Sequence, residues 1–306
     1  MHAVEVVNVS KTFDTVTAVA DLSLTVPQGC VYGLIGPNGS GKTTTMRMIT
    51  SIFYPDCGTI RVFGEELLGA RSESIGYLPE ERGLYRKMAV RPLLEFYGEL
   101  RSGRSVTAEV ETWLKKLELT KWATHKVQTL SKGMSQKVQF IAAVVPQPRL
   151  LILDEPFSGL DPVSADAIRE AILELRRKGV TVILSTHDMG VAESMCDYIC
   201  MIFRGKKVLD GTLAEIQDQY GNDTIRVAAD GGQPVLEGLP DVERIRDLGQ
   251  VQELRMARGC DPQRVLQAIM SRTRVASFSI TKPSLHDIFV RIAGPQAAEE
   301  TEASVA

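Results

Sequence analysis

Residues 31–43 read Val-Tyr-Gly-Leu-Ile-Gly-Pro-Asn-Gly-Ser-Gly-Lys-Thr, an apolar run followed by a glycine-rich turn. The run from Val31 to Ile35 is typical of a buried parallel strand, and a helix is expected from Lys42. The turn matches G-x-x-x-x-G-K-[ST], in which glycines let successive backbone N–H groups point at phosphate oxygens. A plain glycine-rich turn is the alternative, but the flanking strand and helix favour phosphate binding. The predicted nucleotide-binding residues here are Gly36, Pro37, Asn38, Gly39, Ser40, Gly41, Lys42, Thr43 and Thr44.

Three side chains of this loop have separate predicted tasks. Lys42 would reach the β- and γ-phosphates of a nucleotide, and the Thr43 hydroxyl would bind Mg²⁺. Thr44 could donate to an α-phosphate oxygen. The cofactors expected from the loop are therefore ATP and Mg²⁺.

A second apolar strand, Leu150 to Leu153, ends in two carboxylates, Asp154 and Glu155. Open α/β sheets bind ligands beyond the carboxyl ends of their strands. Asp154 suits the Mg²⁺ shell, and Glu155 suits a general base for the attacking water. Alone, such a pair is more often a strand end that runs into solvent. With the phosphate loop upstream, the catalytic interpretation is favoured.

A third apolar strand, Val180 to Leu184, leads to His187. A lone histidine here is usually a surface residue. In an ATPase with such a loop, however, it could bind the γ-phosphate and hold Glu155 and the water in place. Asp161 also has a purely structural interpretation, as the N-cap of a helix that begins at Pro162.

The alternation of strands and helices predicts an α/β fold with a mostly parallel sheet. The pattern changes near residue 220, and short strands with two helices over 221–293 indicate a small α+β domain. The Ala- and Glu-rich tail, 294–306, is expected to be disordered.

Composition excludes several classes of protein. The chain of 306 residues has 35 basic and 38 acidic residues, so its net charge of −3 lacks the basic excess that is typical of nucleic-acid-binding proteins. No apolar run reaches the roughly 18 residues of a membrane helix, and the N-terminus does not look like a signal peptide. Five scattered cysteines suit a reduced, cytosolic protein. Cys196 and Cys200 could share a helix face, but no nearby histidine completes a zinc set.

The stretch Leu130-Ser131-Lys132-Gly133-Met134 resembles the signature motif of ATP-binding cassette (ABC) proteins, usually Leu-Ser-Gly-Gly-Gln. Ser158-Gly159-Leu160-Asp161 is similar to the D-loop of that family, and His187 to its H-loop. The order and spacing of these motifs identify residues 1–220 as an ABC nucleotide-binding domain. The resemblance implies a P-loop NTPase with a mostly parallel core sheet, an antiparallel β subdomain and a helical subdomain over about 84–145.

The resemblance also implies a mechanism. Two cassettes, identical or related, would close head to tail, with ATP between one phosphate loop and the partner's Ser131, Lys132, Gly133 and Met134. Lys42, Glu155 and His187 would be catalytic. Phe13 falls where the family stacks an aromatic ring on adenine; a packed core phenylalanine is the alternative.

Two positions depart from the family pattern. The Q-loop glutamine is replaced by Glu80, which can still bind Mg²⁺ or its water but adds negative charge near the phosphates. The signature ends in Met134 instead of glutamine. These two departures leave open a cassette that binds ATP without hydrolysing it, although Glu155 and His187 are intact.

Residues 75–85 and the C-terminal stretch 283–289 look like the sodium- and drug-exporter branch of bacterial ABC ATPases. The resemblance implies a motor subunit that drives separate transmembrane permease subunits from the cytoplasmic face of the membrane. A soluble ABC ATPase is the competing class. The segment between Lys42 and Ser131 has no sustained heptads, unlike DNA-repair types, and the chain has one cassette, unlike translation factors. The chain holds no signal for the transported substrate.

Overall fold

The computed structural model describes residues 1–66, 74–81, 83–221, 223–257 and 259–303, with side chains as far as residue 294. The chain divides into two compact units, Met1–Thr212 and Leu213–Ala306.

The strands of the first unit form two sheets. They are β1 (His2–Phe13), β2 (Val16–Pro27), β3 (Val31–Ile35), β4 (Cys57–Val62), β5 (Glu65–Glu66), β6 (Ile75–Leu78), β7 (Leu150–Asp154), β8 (Thr181–Thr186), β9 (Tyr198–Phe203) and β10 (Lys206–Gly211). An antiparallel sheet has the order β2-β1-β4-β5, and a larger sheet has the order β10-β9-β3-β8-β7-β6. The larger sheet is parallel except for β10, which runs antiparallel to β9.

The core of the larger sheet determines where a ligand can bind. Every residue of β3, β7 and β8 is buried, as expected for parallel strands with both faces covered. The register pairs Ile35 with Thr186 and Asp154 with Ser185. The carboxyl ends of these three strands therefore meet at one edge, where the glycine-rich turn begins.

Helices surround the larger sheet. They are α1 (Lys42–Ile49), α2 (Val90–Ser102), α3 (Thr107–Lys116), α4 (Lys132–Val144), α5 (Pro162–Arg177) and α6 (Met189–Met195). The helices α2, α3 and α4 bury Leu93, Leu114 and Phe140 in one apolar cluster. The predicted α/β cassette with an antiparallel β sheet and a helical region is confirmed.

The second unit is a small α+β structure. Its elements are α7 (Leu213–Tyr220), β11 (Thr224–Ala229), α8 (Gln233–Leu236), β12 (Val242–Asp247), β13 (Gln252–Met256), α9 (Pro262–Met270), β14 (Val275–Thr281) and α10 (Leu285–Ala303). Its antiparallel sheet has the order β12-β13-β11-β14. Ile225 and Leu254 on one face pack with Val265 and Ile269 of α9.

Both ends of this unit differ from the sequence-based expectation. The predicted boundary follows residue 220, yet α7 belongs to the second unit because Gln217 donates to the Pro283 carbonyl over 2.9 Å. The predicted disordered tail begins at residue 294, whereas α10 runs to Ala303, since alanine and glutamate are strong helix formers. Residues 304–306 of that tail lie outside the described residues.

No helix within the described ranges combines the length and the apolar character of a membrane span.

Candidate active site

The glycine-rich turn between β3 and α1 can form only with glycine at two positions. Gly36 has φ 147°, and a Cβ there would lie 2.1 Å from the Ile202 carbonyl oxygen. Gly41 has φ 107°, and its Cβ would lie 2.4 Å from the Ala18 carbonyl oxygen. These close approaches hold the loop against β9 and β2, so the start of α1 faces a cavity.

This cavity has a volume of about 480 Å³. It brings together most of the predicted loop residues and two carboxylates from other segments. The lining residues are Ala18, Asn38, Gly39, Ser40, Gly41, Lys42, Thr43, Thr44, Glu80 and Glu155. Gly36 and Pro37 contribute through their carbonyl groups, as described next.

Lys42 is only 5% exposed, at the first position of α1. Its Nζ donates to the carbonyl oxygens of Gly36 and Pro37 over 2.8 and 3.0 Å. Burial lowers the pKa of this ammonium, while the charges of Glu155, Asp154 and Glu80 oppose that shift. The cation is thus held above the loop in the field of three carboxylates, which suits the binding of a polyphosphate with its metal ion.

Glu155 lies directly after β7 with a left-handed backbone, φ 48°. This conformation is uncommon for a residue with a side chain, and such residues cluster at functional sites. The carboxylate is 9% exposed, and its Oε1 accepts a hydrogen bond from His187 Nδ1 over 2.9 Å. Two of the three predicted catalytic residues are therefore joined, with the His187 ring 57% exposed toward solvent.

Ser185 ties the acid pair together, and sequence reasoning did not select it. Its hydroxyl donates to Asp154 Oδ1 over 2.5 Å and accepts from the Glu155 N–H over 3.0 Å. The available signal was a serine inside the apolar strand β8, two residues before His187. Its role becomes visible only in the β7–β8 register, where Ser185 pairs with Asp154.

Replacing Ser185 with alanine should lower both stability and turnover. A buried carboxylate oxygen would lose its donor, which costs about 1–3 kcal/mol of unfolding free energy. Turnover should fall about tenfold because Glu155 would lose the hydrogen bond that fixes its backbone. Denaturant unfolding and steady-state ATPase assays measure the two effects. Ser194→Ala removes an exposed hydroxyl as the control, and unchanged turnover in Ser185→Ala would contradict the positioning role.

The oxygen ligands around the loop fit Mg²⁺. Asp154 is fully buried, and its Oδ2 has no hydrogen-bond partner among the described residues. Such an orphaned carboxylate oxygen suits a cation or its water. Thr43 and Glu80 line the same cavity, and Mg²⁺ usually binds one or two carboxylates together with substrate phosphates.

Glu80 is held in the cavity by the signature helix α4. Gln139 of α4 donates through Nε2 to the carbonyl oxygens of Pro79 and Glu81, over 3.0 and 3.2 Å. These bonds flank Glu80 on both sides. The glutamine was not selected from the sequence because a buried polar residue within an apolar helix has no local signature.

Among the described residues that line the loop cavity, none belongs to the signature (Ser131–Met134) or to the D-loop (Ser158–Asp161). Ser131 is the N-cap of α4, and its hydroxyl accepts from the Met134 N–H over 3.2 Å. A Cβ on Gly133 would lie 3.5 Å from Asp161 Oδ2, and the Lys132 side chain runs against Gly159. Ser131–Met134 and Ser158–Asp161 thus form one surface of the chain. Asp161 caps α5 by accepting from the Ser164 N–H over 2.9 Å, so its structural interpretation holds.

Phe13 is likewise not among the residues that line the cavity. Its ring packs edge-on against Phe53, with centroids 5.2 Å apart, and Lys11 Nζ lies 5.5 Å from the ring centroid. The side chain is 39% exposed. One part of the ring therefore packs, and another is open to a ligand.

Cys196 and Cys200 do not share a helix face, because Cys196 follows the end of α6 and Cys200 lies in β9. Burial raises the pKa of each to about 12, so both are protonated near neutral pH. Within the described residues, no three side chains of His, Cys, Asp or Glu lie together as a metal site of those residue types requires.

Comparison with known protein families matches both units of the chain. The family described as "ABC transporter" matches residues 19–158. The family described as "ATP-binding protein DrrA1-3-like, C-terminal domain" matches residues 211–293. The second match covers most of the small α+β unit.

Individual relatives agree with these matches. The chain is 38% identical over 289 residues to an uncharacterized ABC transporter ATP-binding protein, YhaQ, of Bacillus subtilis (strain 168), covering 94% of this chain and 97% of that protein. It is 34% identical over 300 residues to the Nod factor export ATP-binding protein I of Rhizobium sp. (strain N33), covering 95% and 97%. A solved ATP-binding subunit of an ABC transporter superposes with a TM-score of 0.67 and 32% identity, covering 72% of this chain and 93% of that one. The chain therefore belongs to the ABC transporter ATP-binding proteins, and it is an ATPase subunit of that family.

Proposed function

We propose that this chain is the motor of an ABC exporter and that its catalytic sites form between two cassettes. One observation carries the proposal. Lys42 and Glu155 line one cavity and His187 is bonded to Glu155, whereas Ser131 and Gly133 belong to a different surface. A second cassette, identical or related, would bring its Ser131 to the γ-phosphate bound by the first.

The geometry supports the following residue roles. The loop N–H groups of residues 38–44 and the N-terminus of α1 bind the phosphates. Lys42 exchanges its bonds to the Gly36 and Pro37 carbonyls for bonds to phosphate oxygens. Thr43, Asp154 and Glu80 would hold Mg²⁺, which would supply charge neutralisation at the phosphates. The open part of the Phe13 ring stacks on adenine.

Hydrolysis depends on the joined pair Glu155 and His187. Glu155 accepts the proton of the attacking water, and its left-handed backbone aims the carboxylate at the cavity. His187 donates Nδ1–H to Glu155, which leaves the rest of its exposed ring directed to the γ-phosphate. Departure of the products weakens the contact between cassettes and reopens the dimer.

Coupling to transport requires permease subunits on separate chains. We place the cassette on the cytoplasmic face of the membrane, where the surface around Glu80 meets the permease. Export is the proposed direction because several relatives are named as export ATP-binding proteins. The soluble alternative has no comparable support.

The composite site predicts that ATPase activity per chain rises with protein concentration until dimers are complete. Mixing two inactive variants is a sharper test. Lys42→Met removes the loop lysine, and Ser131→Arg blocks the signature surface, so each variant alone should be inactive. In a mixed dimer, the loop of the Ser131→Arg chain meets the intact signature of the other chain. An equimolar mixture should therefore recover about a quarter of the wild-type sites.

Two outcomes would oppose this proposal. Activity of a proven monomer that is independent of concentration would remove the composite site. Absence of recovery in the mixture, with both variants folded and dimeric, would do the same. If the wild-type chain binds ATP but shows no turnover at any concentration, the cassette is a nucleotide-binding subunit without hydrolysis.

A further inference from the structure

A second polar cavity lies wholly within the C-terminal unit. Its volume is about 220 Å³, and it is enclosed by one face of the antiparallel sheet and the first turns of α10. This face is opposite the apolar one, because side chains alternate along each strand. The lining includes four arginines but only two carboxylates, Glu253 and Asp287.

Six of the charged side chains that line or border the cavity form three pairs. Arg246 Nη1 lies 3.0 Å from Asp287 Oδ1, and Arg291 makes two hydrogen bonds to Asp223 over 3.0 and 3.1 Å. Glu253 accepts from Arg226 over 3.1 Å. These pairs fix the walls of the cavity.

Two arginines are left without adequate partners. The guanidinium of Arg244 makes no ion pair or hydrogen bond with the described part of the chain. Arg255 Nε lies 3.4 Å from Glu243 Oε2 and 3.8 Å from Asp223 Oδ2, within ion-pair range. That nitrogen is nevertheless buried and has no hydrogen-bond partner among the described residues.

The sheet register places these two arginines side by side. Arg244 of β12 and Arg255 of β13 are direct Cα partners. Like charges directly opposite on antiparallel strands destabilise a sheet. The side chains in and around the cavity carry a surplus of one positive charge. The five arginines are Arg226, Arg244, Arg246, Arg255 and Arg291, and the four carboxylates are Asp223, Glu243, Glu253 and Asp287.

We propose that this cavity binds a small anion with a phosphate group, between Arg244 and Arg255. Guanidinium groups bind phosphate through paired, charge-assisted hydrogen bonds. Such a ligand would bind the accessible part of Arg255, whose side chain is 41% exposed, and relieve the repulsion between the two arginines. The volume is below the roughly 300–1,000 Å³ of a site for a drug-sized ligand, so the ligand is phosphate or a small phosphomonoester. The site shares no lining residue with the cavity at the ATP-binding loop.

Calorimetric titration of inorganic phosphate into the full chain tests the site. The ATP-binding loop is first saturated with Mg²⁺ and a non-hydrolysable ATP analogue, which removes phosphate binding there. The wild type should bind one phosphate per chain, and Arg244→Ala should weaken that binding at least about tenfold. Arg264→Ala, on the exposed side of α9, is the matched control and should bind like the wild type. Lack of saturable binding by the wild type, or equal loss in both variants, would overturn the proposal.

Thermal unfolding, with the ATP-binding loop saturated in the same way, provides a second readout. Phosphate should raise the Tm of the wild type and of Arg264→Ala, but not that of Arg244→Ala. Without phosphate, Arg244→Ala should be at least as stable as the wild type, because it removes one of two adjacent like charges. A clearly lower Tm would mean that Arg244 is bound within the protein and would contradict its role in the cavity.

The phosphate group could belong to a free metabolite or to a lipid headgroup, and flotation with vesicles separates these sources. Phosphatidylcholine vesicles with and without phosphatidic acid are mixed with each variant. Arg244-dependent flotation only with phosphatidic acid would assign the phosphate to a lipid. Phosphate binding without flotation would assign it to a soluble ligand.

Discussion

Glu155→Gln should retain ATP binding and lose ATP hydrolysis. Glutamine has the same shape, so the left-handed backbone and the hydrogen bonds of Ser185 to this segment can persist. Its amide cannot accept the proton of the attacking water. Removal of a general base typically lowers the rate by about 10²- to 10⁴-fold, and steady-state turnover should fall within that range.

The same variant should accumulate as an ATP-bound dimer. If hydrolysis triggers reopening, a cassette that binds ATP but cannot cleave it remains closed. Size-exclusion chromatography with Mg-ATP should show a dimer for Glu155→Gln and a smaller dimer fraction for the wild type. The matched control is Glu170→Gln, an exposed residue on α5, which should behave like the wild type in both assays. Turnover by Glu155→Gln within about twofold of the wild type would contradict a general base at this position.

The motifs with contiguous residues could be predicted from the sequence. The turn at residues 36–44 is specified by local constraints, because the positive φ of Gly36 and Gly41 admits no other residue without strain. The acid pair was predictable only together with the phosphate loop upstream, because a buried strand that ends in carboxylates is by itself more often a strand end that runs into solvent. Lys42, Glu155 and His187 do converge, as that pattern required.

Contacts between distant segments could not be predicted in this way. Ser185 acts through the register of β7 and β8, and Gln139 reaches residues of the loop after β6. Neither register nor helix packing is encoded by a short pattern. The contact between Arg244 and Arg255 could not be predicted either, because the two residues are neighbours only across strands β12 and β13.

Lys42→Met should weaken the affinity of the chain for Mg-ATP so far that binding is no longer detected at ordinary ATP concentrations. Lys42 is the only loop side chain with a positive charge, so its loss leaves the cavity with Glu80, Glu155 and the neighbouring Asp154. Two charge-assisted hydrogen bonds to phosphate would be lost, about 3 kcal/mol or more, which corresponds to a weakening of at least roughly a hundredfold. Titration with a fluorescent ATP analogue measures the loss, and turnover should fall with it.

This variant also separates binding from folding. In the absence of ATP, Lys42 Nζ donates to the carbonyls of Gly36 and Pro37, so methionine removes two hydrogen bonds as well as the charge. Unfolding free energy should therefore drop by about 1–3 kcal/mol, which a domain of this size survives. Lys121→Met, at an exposed position, controls for the loss of a surface charge. If folded Lys42→Met binds ATP as tightly as Lys121→Met, the predicted role of Lys42 in phosphate binding is wrong. Phosphate binding would then rest on the backbone N–H groups and the dipole of α1, and another positive charge would have to balance the three carboxylates around Lys42.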